Sequence, residues 1–208
     1  MSYFPGKIYE GAGLYLDDYF DLVRAAAASV ARARVQAAAE LLLETIDCEG
    51  MIYCCGNGGS AAIANHLACD CLKGARTGAS IRPKVHSLSA TIELITAIAN
   101  DIGYEDIFSF QLASLAKPGD LLIAISSSGA SPNIVSALRW ARESRVRTIA
   151  MTGFAGGAAA ELADVVLHVD AQNYGVVEDV HQSLMHALAQ YIRHRRLTDP
   201  GQLGQMKF

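Results

Sequence analysis

Five short segments built almost entirely from apolar residues are spaced along the chain after residue 50, and helical patterns lie between them. A strand that is apolar throughout has to be covered on both of its faces, which is typical of a parallel sheet between two layers of helices. The sequence therefore predicts an α/β fold, a three-layer αβα sandwich with a five-stranded parallel sheet. The expected strands are residues 51–55, 84–88, 121–125, 147–151 and 165–169.

An alanine-rich helical arm, residues 13–47, precedes the first strand and is too long to bury itself on one face of a sheet. We therefore expect part of this arm to pack on another subunit, although a helical hairpin within the chain explains the pattern equally well. Function is expected at the carboxyl ends of the strands. Further helices are expected after Gly59 and at residues 91–100, 104–116, 131–144, 158–162 and 176–196.

Composition narrows the class of protein. The 208 residues are 51% hydrophobic and 18% charged, which predicts one ordered domain: an arm (1–50), a core (51–196) and a tail (197–208). A net charge of −4 with scattered basic residues argues against nucleic acid, and no apolar run is long enough to span a membrane. The first ten residues do not have the pattern of a signal peptide, so we expect a cytoplasmic protein with reduced cysteines.

A glycine-rich turn, residues 56–59, follows the first strand and leads into a helix with Ser60 as the expected N-cap. Glycines let a ligand approach the main chain, and the helix N-terminus attracts an anion. The turn also matches the dinucleotide fingerprint G-x-G-x-x-A, which needs an acidic residue at the end of the second strand. That strand ends in Ser87, Leu88 and Ser89, so no nucleotide cofactor is expected.

A serine loop, residues 126–131, follows the third strand and leads into a helix with Ser131 as N-cap and Pro132 at its first position. Its four hydroxyl groups around Gly129 can surround a phosphate with O–H and N–H donors. The Gly-Lys-Ser/Thr of a nucleotide P-loop is missing. One serine would suffice to cap the helix, so the loop predicts a phosphate site rather than a simple turn.

Two helices carry candidate reactive side chains. His66 and Asp70 are four residues apart, so they project from one helix face and can act on the same ligand or metal. The closing helix carries two carboxylates and two histidines close together, Glu178, Asp179, His181 and His186, among Leu, Met and Ala residues, where unpaired burial would be costly. Helical periodicity places Asp179 on the face of His186 and offsets Glu178 by about 80°, which favours Asp179 without excluding Glu178.

The five cysteines could supply a different ligand set. Cys69 is three residues after His66 and could replace Asp70 as a metal ligand. Cysteine is among the residue types most often buried, so we assign all five to packing.

Several motifs, taken together and in order, resemble the SIS (sugar isomerase) domain family, and within it the sedoheptulose 7-phosphate isomerases, or phosphoheptose isomerases. The resemblance covers about residues 14–196, and each motif is weak alone. The motifs are GNGGS followed by His66, ANDIGYEDIF at 99–108, ISSSGAS at 125–131, MTGFAGG at 151–157, and the histidine-rich closing helix.

This resemblance implies a SIS fold of flavodoxin-like type, a homotetramer with active sites at subunit interfaces, and isomerisation of sedoheptulose 7-phosphate to a D-glycero-heptose 7-phosphate through a cis-enediol(ate). It implies Asp70 and His186 as the catalytic acid/base pair, and a divalent metal, zinc before manganese or iron, on His66, Asp70, Glu178 and His186. The implied substrate contacts are Asn57, Gly58, Gly59, Ser60, Asn100, Asp101, Ser126, Ser127, Ser128, Ser131 and Glu178.

The chain departs from the family pattern at the proposed site. The family's catalytic glutamate is Asp70 here and its glutamine is Glu178, while Lys73 and Arg76 stand near the place of a sugar-facing arginine. Two alternatives follow: an isomerase of another phosphosugar, or a non-catalytic phosphosugar-binding scaffold of the kind that binds a replication initiator. Retention of His66, His186 and a carboxylate at residue 70 favours an enzyme.

Overall fold

The computed structural model describes residues 4–205, without the side chain of Gln202. Within that range five strands form one parallel sheet in the order β2-β1-β3-β4-β5, so the predicted α/β sandwich is confirmed. Each strand begins where the sequence predicts and ends within one residue of the prediction, because turn or polar residues bound every apolar run. The strands are β1 Met51–Gly56, β2 Lys84–Ser87, β3 Leu121–Ser126, β4 Arg147–Thr152 and β5 Val165–His168.

Helices cover both faces of the sheet. One apolar core lies between the sheet and α2, α3 and α8, and a second core lies between the sheet and α4 to α7. Cys54 belongs to the first core and Cys55 to the second, as the alternation of side chains along a strand requires. The helices are α1 Ala12–Ser29, α2 Arg32–Asp47, α3 Gly59–Cys69, α4 Ile92–Asp101, α5 Ser109–Leu115, α6 Pro132–Glu143, α7 Gly157–Leu162 and α8 Tyr174–Arg195.

Short turns of other helical types link these elements. A π-helical turn, Asp70–Ala75, continues α3, and 3₁₀ turns occupy Tyr104–Asp106 and Pro200–Gln202. The first 3₁₀ turn interrupts the single helix that the sequence predicts over 104–116. Among the described helices, none combines the length and apolarity needed to cross a bilayer.

The two N-terminal helices have different partners. α2 lies against the sheet and α8, whereas α1 packs mainly along α8, which does not match a hairpin of α1 with α2. The hydroxyl of Tyr19 donates to Oδ2 of Asp179 at 2.7 Å and ties α1 to the start of α8. The outward side of α1 keeps apolar side chains exposed, so the expected packing on another subunit stays a prediction. These exposed residues are Leu14, Leu16 and Phe20.

The start of α3 differs from the sequence prediction. The N-cap is Gly58, with φ +53°, and not Ser60, because a glycine turns the chain into the helix two residues earlier. Ser60 is buried, and a Cβ on Gly56 would lie 2.5 Å from its carbonyl oxygen. Ser131 is the N-cap of α6 as predicted, but its hydroxyl lies 3.3 Å from that of Ser126 and bonds no N–H of the helix.

Candidate active site

A polar cavity of about 130 Å³, which we call the serine cavity, opens at the carboxyl ends of β1 and β3, beside the start of α8. This edge of the sheet is where α/β proteins bind ligands. All of its lining residues except Ile125 and Tyr174 are predicted substrate contacts. The lining consists of Asn57, Ser60, Ile125, Ser126, Ser127, Ser128, Ser131, Tyr174 and Glu178.

The hydroxyl groups of the serine loop are not equivalent. Ser126 Oγ accepts from the N–H of Gly129 at 3.1 Å, and Ser128 Oγ accepts from the N–H of Ala130 at 3.3 Å. Ser127 Oγ is buried and, among the described atoms, has no hydrogen-bond partner. A buried hydroxyl without a partner costs about 1–3 kcal/mol, so its place in the cavity wall points to a ligand oxygen as the missing partner.

A glycine loop, residues 153–157, holds the serine loop in place. The N–H of Gly153 donates to the carbonyl of Ser127 at 2.8 Å, and the N–H of Ala159 donates to the carbonyl of Gly129 at 2.9 Å. Gly129 has φ +64°, and a Cβ there would lie 1.9 Å from the carbonyl oxygen of Gly156. The MTGFAGG motif therefore fixes the backbone of the serine loop that lines the cavity.

Asn57 is fixed at the cavity by an amide pair that sequence reasoning missed. Asn57 and the fully buried Asn133 donate to each other through their amide groups, both at 2.9 Å. The hydroxyl of Tyr104 also donates to Asn57 Oδ1, at 3.1 Å. Its position directly after Ser131 and Pro132, at the start of α6, was the sequence signal that could have identified Asn133.

Glu178 lies against the glycine turn. A Cβ on Gly59 would lie 2.3 Å from Glu178 Oε2, so only glycine lets the carboxylate come this close to the backbone. Burial raises the pKa of the Glu178 carboxyl, and the neighbouring carboxylate of Asp179 raises it further. Glu178 thus faces the serine loop, whereas Asp179, which periodicity favoured, is held by Tyr19.

The predicted catalytic pair lies in contact. Asp70 begins the π-helical turn, and its Oδ2 is 2.7 Å from Nδ1 of His186, while its Oδ1 is 3.3 Å from Nε2 of His66. The two imidazole rings meet edge to face, with centroids 4.9 Å apart. Two helices that are distant in sequence therefore bring a carboxylate and two imidazoles together.

Gln182 completes this group, which we call the histidine cluster (His66, Asp70, Gln182 and His186). Its Nε2 lies 2.9 Å from Nε2 of His186 and 3.2 Å from Nδ1 of His66. Gln182 is not among the site residues predicted from the sequence. Its spacing, four residues after Glu178 and four before His186, was the signal that could have found it.

Three of the four predicted metal ligands are grouped so that one cation could bind them. One donor atom each of His66, Asp70 and His186 lies within 4.8 Å of the others. Two imidazoles and a carboxylate suit zinc. Glu178, the fourth predicted ligand, is not a member of this group and lines the serine cavity instead.

Comparison with known proteins agrees with this geometry. Residues 15–153 match the family model described as the SIS domain. The chain belongs to the SIS domain family. A phosphoheptose isomerase of Nitratidesulfovibrio vulgaris is 43% identical over 145 residues, covering 69% of this chain and 68% of the relative, and one of Akkermansia muciniphila is 36% identical over 160 residues, covering 76% and 83%.

Solved structures lead to the same group. The structure of a phosphoheptose isomerase from Neisseria gonorrhoeae superposes on this SIS domain with a TM-score of 0.80 and 32% identity, over 88% of this chain and 96% of that one. The recognition of the family from its motifs is confirmed, and so is the expectation of an enzyme similar to the phosphoheptose isomerases.

Besides Gly58 and Gly59 of the glycine turn, two predicted substrate contacts of the SIS domain lie outside the lining of the cavity. Asn100 and Asp101 end α4, are exposed, and bond each other, with Asn100 Nδ2 donating to Asp101 Oδ1 at 2.7 Å. Neither residue lines the serine cavity. Their contact with substrate stays a prediction.

His181 on α8 has a structural role in this SIS domain. His181 is fully buried, and its Nε2 donates to the carbonyl oxygen of Thr152 at 3.2 Å. Burial lowers the pKa of His181 to about 4, although the bond to Thr152 opposes the shift, and the nearby His168 lowers the pKa slightly more. His181 is therefore neutral and anchors α8 to the end of β4.

The assignment of every cysteine to packing is only partly right. Cys54, Cys55 and Cys71 are buried, and burial raises the pKa of each thiol. Cys48 and Cys69 are exposed, because both lie on the outward side of a helix end. Cys69 is not part of the group that could bind a metal.

Proposed function

We propose that this SIS domain converts sedoheptulose 7-phosphate to a D-glycero-heptose 7-phosphate by aldose-ketose isomerisation through a cis-enediol(ate). The observation that carries the proposal is the 2.7 Å contact between Asp70 and His186. His186 lies on α8, the helix that also brings Glu178 to the cavity. The relatives named phosphoheptose isomerase support the choice of substrate.

The serine cavity is proposed to bind the phosphate. It offers the free hydroxyl of Ser127, the further hydroxyls of the serine loop, and the start of α6, where the helix dipole favours an anion. The carboxylate of Glu178 in the same wall would repel a phosphate, so we place the phosphate on the serine side and the sugar hydroxyls beside Glu178.

Asp70 and His186 are proposed to move the protons. One of them removes the proton from the carbon next to the carbonyl and returns it to the neighbouring carbon, while the other transfers a proton between the two oxygens. Their direct hydrogen bond lets a proton lost by one be shared with the other. Asp70 is shorter than glutamate by one methylene, and the π-helical turn that it begins sets its position next to His186.

A divalent cation, zinc in the first place, is proposed to bind His66, Asp70 and His186. When bound, the ion supplies electrostatic stabilisation for negative charge on the substrate oxygens. Metal analysis of the purified protein, before and after treatment with a chelator, tests this assignment. Less than about 0.1 ion per chain before treatment, together with no gain in thermal stability on adding zinc, would contradict it.

The proposed reaction is tested by incubating the purified chain with sedoheptulose 7-phosphate and following formation of the aldose phosphate. Five- and six-carbon ketose phosphates serve as comparison substrates. We expect the highest kcat/KM for the seven-carbon substrate. A protein that binds the sugar phosphate without converting it, with zinc present, would instead be the scaffold type of SIS domain.

Replacement of Ser127 by alanine is expected to weaken substrate binding without lowering the stability of the fold. Ser127→Ala should raise KM about tenfold or more with little change in kcat, because a hydrogen bond to a charged group is worth about 1.5–3 kcal/mol. Loss of an unpartnered buried hydroxyl should leave the free energy of unfolding unchanged or raise it by about 1 kcal/mol. Steady-state kinetics and urea unfolding measure both quantities.

Ser109 provides the matched control for this variant. Ser109 is also buried, but its hydroxyl donates to Asp106 Oδ1 and accepts from Ser136 Oγ, both at 3.1 Å. Ser109→Ala should therefore lose about 1 kcal/mol of stability and keep its KM. An unchanged KM in Ser127→Ala would remove this hydroxyl from the phosphate site.

The outward face of α1 is proposed to pack against another copy of the chain in a homotetramer. This proposal rests on the row of exposed apolar side chains on α1, which is unusual for a helix surface in contact with water. Light scattering of the purified protein gives the mass directly. A monomeric mass at micromolar concentration would contradict this proposal.

A further inference from the structure

Tyr174 lines the serine cavity but is not among the substrate contacts predicted from the sequence. It is the first residue of α8, and Glu178, one turn later, lines the same cavity. Tyr174 is 60% exposed, although part of it faces the cavity. One side of the residue therefore meets the cavity and another side meets water, which places Tyr174 at the cavity mouth.

The size of the serine cavity shows which end of the substrate lies next to Tyr174. Its volume of about 130 Å³ equals that of about four water molecules at about 30 Å³ each, which suffices for a phosphate group but not for a seven-carbon chain. His186 lies eight residues beyond Glu178 on α8, about 12 Å further along the helix axis. The sugar therefore leaves the cavity past Glu178 toward the histidine cluster, and Tyr174 stays at the phosphate end.

The ring of Tyr174 packs on Phe154, a residue with a strained backbone. The two ring centroids are 4.7 Å apart, with the planes tilted by 49°. Within residues 4–205, three non-glycine residues have a positive φ, and two of them, Glu49 and Arg145, closely follow the ends of α2 and α6, where this conformation is common. Phe154, with φ +49°, does not end a helix. Strain of this kind costs about 1–3 kcal/mol and clusters at ligand sites.

The strained residue belongs to the glycine loop that holds the serine loop. The N–H of Phe154 donates to the carbonyl of Ala171 at 3.0 Å, and the N–H of Gly153 donates to the carbonyl of Ser127 at 2.8 Å. Phe154 also packs against an apolar cluster of α1 and α8 residues. Its ring is therefore held from several sides and offers Tyr174 a fixed surface next to the serine cavity.

We propose that the ring of Tyr174 closes the serine cavity against water at its phosphate end, and that Phe154 is the positioning residue that holds the ring there. Exclusion of water lowers the local dielectric constant, so hydrogen bonds from the serine loop to a phosphate become stronger. Without the ring, water and mobile ions reach the phosphate and weaken these bonds. This inference rests on the phosphate site of the proposed function.

The test is isothermal titration calorimetry of the full chain with inorganic phosphate, which gives Kd without any turnover. Tyr174→Ala and Tyr174→Phe separate the ring from the hydroxyl. Phe110→Ala is the matched control, because Phe110 is an aromatic residue with 49% exposure that lines a different groove, between α5 and α6. Phe154→Ala is measured alone and together with Tyr174→Ala, so that a double-mutant cycle isolates their contact.

Tyr174→Ala should raise the Kd for phosphate about tenfold, and added salt should weaken its phosphate binding more steeply than that of the wild type, because an open cavity admits screening ions. Tyr174→Phe and Phe110→Ala should stay within about twofold of the wild-type Kd. Phe154→Ala should raise Kd by about threefold, and the double variant should bind no more weakly than Tyr174→Ala, because Phe154 acts through the ring. KM for sedoheptulose 7-phosphate should follow Kd, with kcat nearly unchanged.

A wild-type Kd in Tyr174→Ala, or equal losses in Tyr174→Ala and Tyr174→Phe, would overturn the proposal. A double variant that binds much more weakly than Tyr174→Ala would contradict the role of Phe154. Ser127→Ala distinguishes the possible failures. If it weakens phosphate binding and Tyr174→Ala does not, only the closure by the ring is wrong, and if neither variant weakens it, the phosphate site is wrong too. Phosphate binding that depends on both residues, without turnover of sedoheptulose 7-phosphate, would refute the proposed reaction alone.

Discussion

Replacement of His186 by alanine is expected to lower kcat for sedoheptulose 7-phosphate about 10³-fold, within the 10²–10⁴-fold range that general acid-base groups contribute. The variant loses the partner that lies 2.7 Å from Asp70 and leaves the carboxylate with one weaker contact, to His66 at 3.3 Å. Because the His186 side chain is 37% exposed, its loss leaves no buried cavity, and the assembly state and unfolding temperature of the protein should stay nearly unchanged.

His194 on the same helix is the matched control for this variant. It is exposed in the last turn of α8, with its ring centroid 6.4 Å from that of Tyr191, away from the histidine cluster. His194→Ala should therefore keep kcat within about twofold of the wild type. If His186→Ala also keeps a wild-type kcat while light scattering shows the wild-type assembly, His186 has no part in the reaction.

Gly129→Ala is expected to cost about 2–5 kcal/mol of stability and to abolish activity. The left-handed backbone at φ +64° costs about 1–2 kcal/mol for a residue with a Cβ, and overpacking adds about 1–3 kcal/mol. The Cβ would lie 1.9 Å from the carbonyl of Gly156, an atom of the backbone that cannot rotate away. Either the serine loop or the glycine loop has to move, and the proposed phosphate site is lost with it.

Gly119→Ala separates the cost of a left-handed backbone from the cost of overpacking. Gly119 also has a positive φ, +94°, but a Cβ there would meet nothing within 4 Å. This variant should show only the backbone cost of about 1–2 kcal/mol and should retain its activity. Thermal or urea unfolding of both proteins gives the comparison. Equal losses of stability would mean that the contact between the two loops does not matter.

Most of the sheet could be predicted from local sequence. The run at 121–125, for example, is apolar throughout and follows a Lys-Pro-Gly-Asp turn, and the strand found there is Leu121–Ser126. A buried parallel strand needs only this pattern, because both of its faces meet apolar helices. The start of α3 was harder to predict, because the conformation of Gly58 depends on the close approach of Gly56 to Ser60.

The choice between Glu178 and Asp179 could not be made from periodicity. The carboxylate of Asp179 accepts a hydrogen bond from Tyr19 on α1, a residue 160 positions away in sequence, and so does not line the cavity. Glu178 lines the cavity because Gly59 has no side chain. Both facts come from long-range contacts, which a helical wheel does not contain. Gln182 was missed for a different reason, since a glutamine in a helix is usually solvated and carries no chemical signal of its own.

Helix α8 has a consequence for the order in which the chain becomes active. It is joined to α1 by Tyr19 and Asp179, to β4 by His181 and Thr152, and to the end of α2 by the ion pair of Arg196 with Asp47. All five strands precede α8 in the sequence, and His186 meets Asp70, 116 residues upstream, only when α8 docks on the sheet. If α8 docks late, the proposed catalytic pair forms late as well, so we expect turnover regained during refolding to lag behind the recovery of secondary structure.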